Sequence, residues 1–276
     1  MSEVIARRQF SPGYIWFDIA FLLVFVGLLL WRKKYMTVLV GIFFGFVYMA
    51  VDYGIFHLLT HSRTISEGYS LFWVLLWMSM SYGFTNFAWI WLWLNKDRNL
   101  FEWSLLILSW WFCCPLLGGT FAPSEPPIVI QRTTGAYHGW MALILFVGYL
   151  ALIIYNLWQK EPKKRVHIPW LLVIGILVQF GWECGLLIGG IRSAGFATLE
   201  EKLIPLVVNS LLETNLGMPY IFAIFIAYSR RFTEQLTRRK QPLAFTERIQ
   251  EWNAQRVRDE VPDAPQTTAD IGGYHG

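Results

Sequence analysis

Seven apolar runs, near residues 14–31, 36–59, 70–94, 101–118, 138–158, 168–190 and 204–229, follow one another along the chain, with charged residues gathered between them. Each is about as long as a helix needs to cross roughly 30 Å of hydrocarbon at about 1.5 Å per residue. A soluble protein of this size could bury one or two all-apolar helices, but seven have nowhere to hide. The pattern therefore predicts an all-α integral membrane protein with seven transmembrane helices. Arg7 and Arg8 precede the first run as they would in a signal peptide. That run, however, is long and ends on Arg32, Lys33 and Lys34 rather than on a small-residue cleavage site, so it reads as a retained span.

The remainder divides simply. Residues 1–240 form the membrane domain and 241–276 a tail. Within the tail, Phe245 to Val261 reads as a short amphipathic helix with Ile249, Trp252 and Val257 on one side, and 262–276 reads as polar and disordered.

Composition agrees with this picture: of 276 residues, 55% are hydrophobic and only 15% charged, against roughly 25% charged in soluble domains. The basic residues set an orientation. Arg32, Lys33, Lys34, Lys96, Arg98, Lys160, Lys163, Lys164, Arg165, Arg230, Arg231, Arg238, Arg239 and Lys240 fall on one side. Only Arg7, Arg8, Arg63, Arg132, Arg192 and Lys202 fall on the other. The positive-inside rule puts the larger group in the cytosol, with the N-terminus outside and the C-terminus inside, in the cell membrane. The net charge of +4 then reflects topology and calls for no nucleic-acid partner. Cys113, Cys114 and Cys184 show neither metal spacing nor a disulfide framework and read as packing residues. Trp89, Trp91, Trp93 and Trp103 are expected near the cytosolic interface, whereas Trp77 and Trp182 lie deeper, where they could line a pocket.

An internal repeat is also legible. Phe25-Val26-Gly27 is matched by Phe146-Val147-Gly148, Asp52-Tyr53-Gly54 by Glu183-Cys184-Gly185, and Ser81 to Asn86 by Ser210 to Asn215, both of the form S-x-x-x-T-N. The order is kept, and the slack in spacing falls in the longer loop from Gln159 to His167. The halves, about 14–94 and 138–229, would be parallel, with 101–118 as the inverting linker helix, a known transporter plan. This 3+1+3 arrangement is similar in architecture to the SWEET sugar carriers and the PnuC vitamin carriers, though the Pro-Gln signature of the former is absent.

Three carboxylates lie within spans, Asp52, Glu183 and Glu213, each about 4–7 Å outward of its span's midpoint. Intramembrane acids are costly and face the bundle interior or a wet cavity. Crowded together, they are expected to share protons. Asn86, Asn215, Asn209, Ser81, Ser210, Tyr82 and Trp182 are the candidate substrate-binding residues around them, with Ser79, Thr85, Thr214 and Gln179 at similar depth. The same groups can serve simply as hydrogen-bonding glue between helices. Gly54, Gly83, Gly185 and Gly217 are expected to permit close helix approach, and Pro205 and Pro219 to bend the last span. His57 and His61, four apart, are weak candidates for a metal site with His138 nearby. An interfacial pair without a ligand is the plainer reading. Arg63 and Arg192 follow the acids of spans two and six and could capture an anionic group.

No phosphate loop, nucleotide fingerprint or nucleophile elbow is present, so no cofactor and no ATP coupling within the chain are expected. The expected partners are the lipid bilayer and a small-molecule substrate or proton. The leading expectation is a small-molecule carrier in which one or more of the acids handle a proton or a cation. Against it stands an intramembrane enzyme. Ala50-Val51-Asp52-Tyr53 and Glu213 faintly resemble the acids of small seven-span terpene cyclases, where aromatic rings stabilise a carbocation. A membrane assembly subunit without chemistry of its own is the third reading.

Overall fold

The computed structural model describes residues 5–121, 126–133, 138–161, 165–192, 198–236 and 249–254. In the unit Met1–Arg238 the helices are α1 (Pro12–Trp31), α2 (Tyr35–Met49), α3 (Leu71–Ser79), α4 (Thr85–Leu94), α5 (Leu100–Phe121), α6 (His138–Trp158), α7 (Ile168–Ile188) and α8 (Leu199–Leu236). Helix α2 runs on as a π-helix through Ala50–Leu59, and a π-helical segment, Met80–Phe84, joins α3 to α4. Six helices are long and apolar enough to cross a membrane: Pro12–Trp31, Tyr35–Leu59, Leu100–Phe121, Gly139–Trp158, Ile168–Ile188 and Leu199–Ser229. The chain is thus a predominantly helical protein of multi-pass character. Leu71–Leu94 is helical as well, with its hydrogen-bond ladder changed by the π segment.

Helix ends follow local chemistry. Ser11 caps α1, accepting from the Tyr14 backbone N–H at 3.4 Å with Pro12 in the first turn. His167 Nδ1 accepts from the Trp170 backbone N–H at 3.1 Å to open α7. Helix α8 continues through both Pro205 and Pro219.

Three strands supplement the all-α expectation: β1 (Ile5–Phe10), β2 (Arg63–Ile65) and β3 (Ile128–Thr133), antiparallel in the order β1-β3-β2. They join the N-terminus to two inter-helix loops at one end of the bundle, here termed the sheet end. A backbone bond from Gln9 N–H to the Ile191 carbonyl (2.9 Å) adds the segment after α7. Strand side chains alternate between faces. The register puts Arg8 and Phe10, Ile128, Ile130 and Arg132, and Arg63 and Ile65 on the same face. Phe10, Ile128 and Ile130 on that face are buried, so it is the face turned to the helices.

At the far end, an ion pair between Lys34 and Asp97 ties the loop after α1 to the loop after α4. Trp103 donates its indole N–H to Asp97 Oδ1 at 3.3 Å. Trp89, Trp91 and Trp103, expected near the cytosolic interface, are turned into the bundle and not outward to lipid. The exposed tryptophans are others: Trp16, Trp73 and Trp140 at the sheet end, and Trp31, Trp158 and Trp170 at the far end, all between 47% and 81% exposed. Two rings of Trp about one helix length apart match the aromatic belts of a membrane protein. Between them, large apolar side chains such as Phe43, Phe46, Leu143 and Ile153 face outward, where water would penalise them and lipid would not.

Helices cross closely at Gly83, where an added Cβ would stand 3.1 Å from the Gly45 Cα and the Phe44 carbonyl oxygen. Gly54, by contrast, faces open space and makes no close approach. In the unit Arg239–Gly276, residues 249–254 are helical, with Ile249 and Trp252 exposed. Val257 and 262–276 lie outside the described residues. So do Lys163, Lys164, Arg238, Arg239, Lys240 and the side chain of His138.

Candidate functional site

Every strand of the sheet carries an arginine on its helix-facing side, and the three acids singled out in the sequence lie beneath them. Arg63 of β2 donates to Asp52 Oδ1 at 2.6 Å. Arg132 of β3 reaches the same oxygen at 3.4 Å and Glu213 Oε1 at 3.1 Å. Arg192, just past α7, grips Glu183 through two parallel bonds of 2.7 and 3.0 Å, and Asn209 adds a third at 3.1 Å. Each acid therefore takes an arginine partner, and no hydrogen bond joins two of the three acids among the described residues. A carboxylate fork matched to a guanidinium is the geometry that best offsets the cost of burying both charges.

The sheet arginines respond to their surroundings. Burial pushes Arg63 down to about 10, with Asp52 opposing the fall, so it stays charged at neutral pH. Burial also works against the charge on Arg192, but the Glu183 carboxylate more than offsets this and holds it above its ordinary value.

Glu213 links the sheet to the bundle. Its Oε1 takes Arg132, while its Oε2 accepts from Gln179 Nε2 (2.9 Å, α7) and lies 3.2 Å from the Tyr82 hydroxyl in the π segment. Tyr82 also lies 2.8 Å from Gln179 Oε1, which in turn accepts from the Thr214 hydroxyl. One phenolic proton cannot serve both acceptors, so Tyr82 has two alternative bonds to choose between. Asp52 and Tyr82 both stand on π-helical turns, a local geometry often found at functional sites.

The remaining candidates divide. Trp182 packs at 5.1 Å from both Tyr82 and Trp111, continuing an aromatic chain that runs through Tyr48. Ser210 donates back to the Leu206 carbonyl of its own helix. Asn215 accepts from the Tyr149 hydroxyl at 3.3 Å and donates to the Leu211 carbonyl. Asn86 is 0% exposed, and neither atom of its amide has a partner among the described residues. Ser81 and Ser210, Thr85 and Thr214, and Asn86 and Asn215 are pairwise alike in being buried, whereas Phe25 is fully buried and Phe146 is 62% exposed.

The histidines are not brought together on a helix face. The π-helix ends at Leu59, and His61 lies beyond it at φ 50°, exposed. Among the described residues no group of three or more His, Cys, Asp or Glu could hold a metal ion.

Two features lie outside the sequence reading. Asp18, in α1, is a further buried acid, accepting from the Trp77 indole N–H at 2.9 Å with Ser81 in hydrogen-bonding reach. Arg8 of β1 sits within electrostatic reach of Asp52, Glu183, Glu213, Arg63 and Arg192. A cavity of about 230 Å³ opens beside it at the sheet end, lined by Ser11, Tyr14, Pro115, Gly119 and Ile191 among others. Comparison with protein-family models, curated proteins and solved structures yields no match to this chain.

Proposed function

We propose that the chain is a small-molecule carrier of the cell membrane, with seven spans, the sheet end outside and the far end in the cytosol. The single observation that carries this reading is the Arg132–Glu213 contact, which ties an extramembrane sheet to the polar centre of the bundle. Ionisable groups inside a membrane domain mark substrate and ion pathways. Here the pathway is covered by a sheet whose hold on Glu213 depends on that residue's charge. Protonated Glu213 loses the ionic part of its attraction to Arg132 and becomes a donor, releasing the Tyr82 hydroxyl to Gln179. One proton thereby loosens the cover and rearranges the interior together, which is the coupling a proton-driven carrier needs.

The 3+1+3 repeat belongs to the same proposal. It is supported by the like burial of the two S-x-x-x-T-N segments and by a shared device, in which Asp52 and Glu183 each pair with an arginine shortly after their helix. The unlike settings of Phe25 and Phe146 confine it to the polar elements. A competing reading, an intramembrane enzyme, is favoured by the aromatic chain through Tyr48, Tyr82, Trp182 and Trp111 beside Glu213. Such faces could stabilise a cationic intermediate.

The test is transport. Proteoliposomes loaded with a pH-sensitive dye, given an inward proton gradient, are offered labelled monocarboxylates, dicarboxylates, amino acids and sugars. The expected result is uptake of one class that collapses with the gradient. Absence of gradient-dependent uptake for every class removes the carrier reading. Orientation has its own check. A reporter fused after Lys240 is expected in the cytosol and one before Phe10 outside. Reporters on the same side would mean an even number of spans and would end the parallel-repeat proposal.

A further inference from the structure

Asp52, Glu183 and Glu213 are each taken by Arg63, Arg132 or Arg192, and Arg8 is left without a carboxylate. Its Nη1 donates to the Met78 thioether at 3.0 Å, and no oxygen among the described residues accepts from it. A thioether is a weak acceptor and carries no charge to balance the guanidinium. Burial and the neighbouring Arg192 charge push Arg8 down from its ordinary value, while Glu183 and Glu213 act the other way without a hydrogen bond to it, so four arginines here face three arginine-paired carboxylates.

A second donor without a partner belongs to a residue that lines the same cavity. Trp182 is 4% exposed, and its indole N–H has no partner among the described residues. Buried N–H groups are nearly always satisfied, by protein or by something bound. Arg8, Trp182 and Ser81 line one small cavity, walled by Phe10, Tyr14 and Trp77. It leaves about 10 Å³ for the centre of a water-sized sphere, room for a single atom-sized guest.

We propose that Arg8 and the Trp182 indole N–H form a binding site for a monatomic anion of chloride size, enclosed beneath the sheet. One strong cationic donor, one neutral N–H donor and rigid aromatic walls suit a weakly hydrated halide, whereas a water, with the Ser81 hydroxyl as its acceptor, would bring no charge to balance Arg8. A polyatomic anion is too large for the space. Phe10, Tyr14 and Ile191 also border the 230 Å³ cavity at the sheet end, so they form the partition an entering ion passes. Asp18 bonds Trp77 and Ser81, both of which line the cavity, and its charge, like those of Glu183 and Glu213 near Arg8, weakens anion binding by repulsion. The site does not depend on the carrier reading, because an anion bound there balances Arg8 whether or not a solute moves.

The test uses the full chain in detergent, dialysed into sodium gluconate. Sodium chloride or sodium bromide is added at constant ionic strength while the melting temperature is followed. Saturable stabilisation by both halides, absent with gluconate, is expected. Trp182→Phe keeps the ring and removes the donor, and should weaken the apparent halide affinity roughly tenfold, the worth of a bond to a charged group. Arg8→Met should abolish the response, and Asp18→Asn should tighten it. If Arg8→Met does not fold, Trp182→Phe decides alone. No halide-specific stabilisation of the unaltered chain would overturn the proposal, as would a halide response that Trp182→Phe leaves unchanged. In those cases water fills the cavity or the halide binds elsewhere.

Discussion

Arg192→Met should lower the stability of the membrane domain by about 3–5 kcal/mol, the cost of stripping one partner from a buried ion pair. The pair is enclosed: the Arg192 and Glu183 side chains are 3% and 0% exposed. With Arg192 gone, the carboxylate keeps one hydrogen bond, from the Asn209 amide, and the charge of Arg8 at a distance, too little to offset a desolvated charge. Glu183→Met leaves the complementary orphan and should cost a similar amount. The double replacement removes both charges and should recover most of the loss, because an apolar pair of similar volume is often as stable as the ion pair it replaces. The measurement is thermal unfolding of the three variants in one detergent. If the double variant is no better than the singles, the pair is not an isolated charge balance, and Arg192 holds the segment after α7 by other means.

That pair also shows what could be read from the chain beforehand. The apolar runs declare the helices because lipid exposure asks for length and composition, both of which are local properties. Glu183 stands out by the same logic, as an acid where acids are costly. Its partner was visible too, since Arg192 follows it closely in sequence, but whether such an arginine bonds inward or to water depends on a turn that sequence does not specify. The sheet was harder to see. Its strands span three to six residues and lie in three loops, and their pairing is a long-range matter. The fragment Ile128-Val129-Ile130-Gln131-Arg132 does carry the signal, with β-branched residues and alternating sides. Arg8, Arg63 and Arg132 read equally well as flanking charges that fix topology, and only the register turns them inward. Asp18 obeys the rule that singles out Asp52 and lies within the first apolar run, so it was legible as a buried acid. The orphaned amide of Asn86 was not, because hydrogen-bond satisfaction is a property of the packed interior.

Glu213→Gln should separate function from folding, unlike any change at Glu183. Glu213 spreads its bonds over three elements: Arg132 of β3, Gln179 of α7 and Tyr82 of the π segment. Replacing one carboxylate oxygen with an amide nitrogen leaves the other oxygen free to accept from Arg132, while Asp52 still faces that arginine at 3.4 Å. Tyr82 can accept from the new N–H and send its own proton to Gln179 Oε1, so only the Gln179 amide meets donor against donor. The cost should therefore be that of about one buried hydrogen bond, roughly 1–3 kcal/mol, and the protein should still insert and fold. What the variant loses is the ability to change charge. It can neither grip Arg132 as an anion nor release it as an acid, so gradient-driven uptake should fall to background. Asp52→Asn offers the contrast. It removes the charge facing both Arg63 (2.6 Å) and Arg132, and should fail in stability before it fails in transport. Expression, melting temperature and uptake measured side by side on the two variants give the answer. A folded Glu213→Gln protein with undiminished gradient-driven uptake would show that the residue merely braces the sheet, and the proton would have to be carried elsewhere, with Asp18 the first place to look.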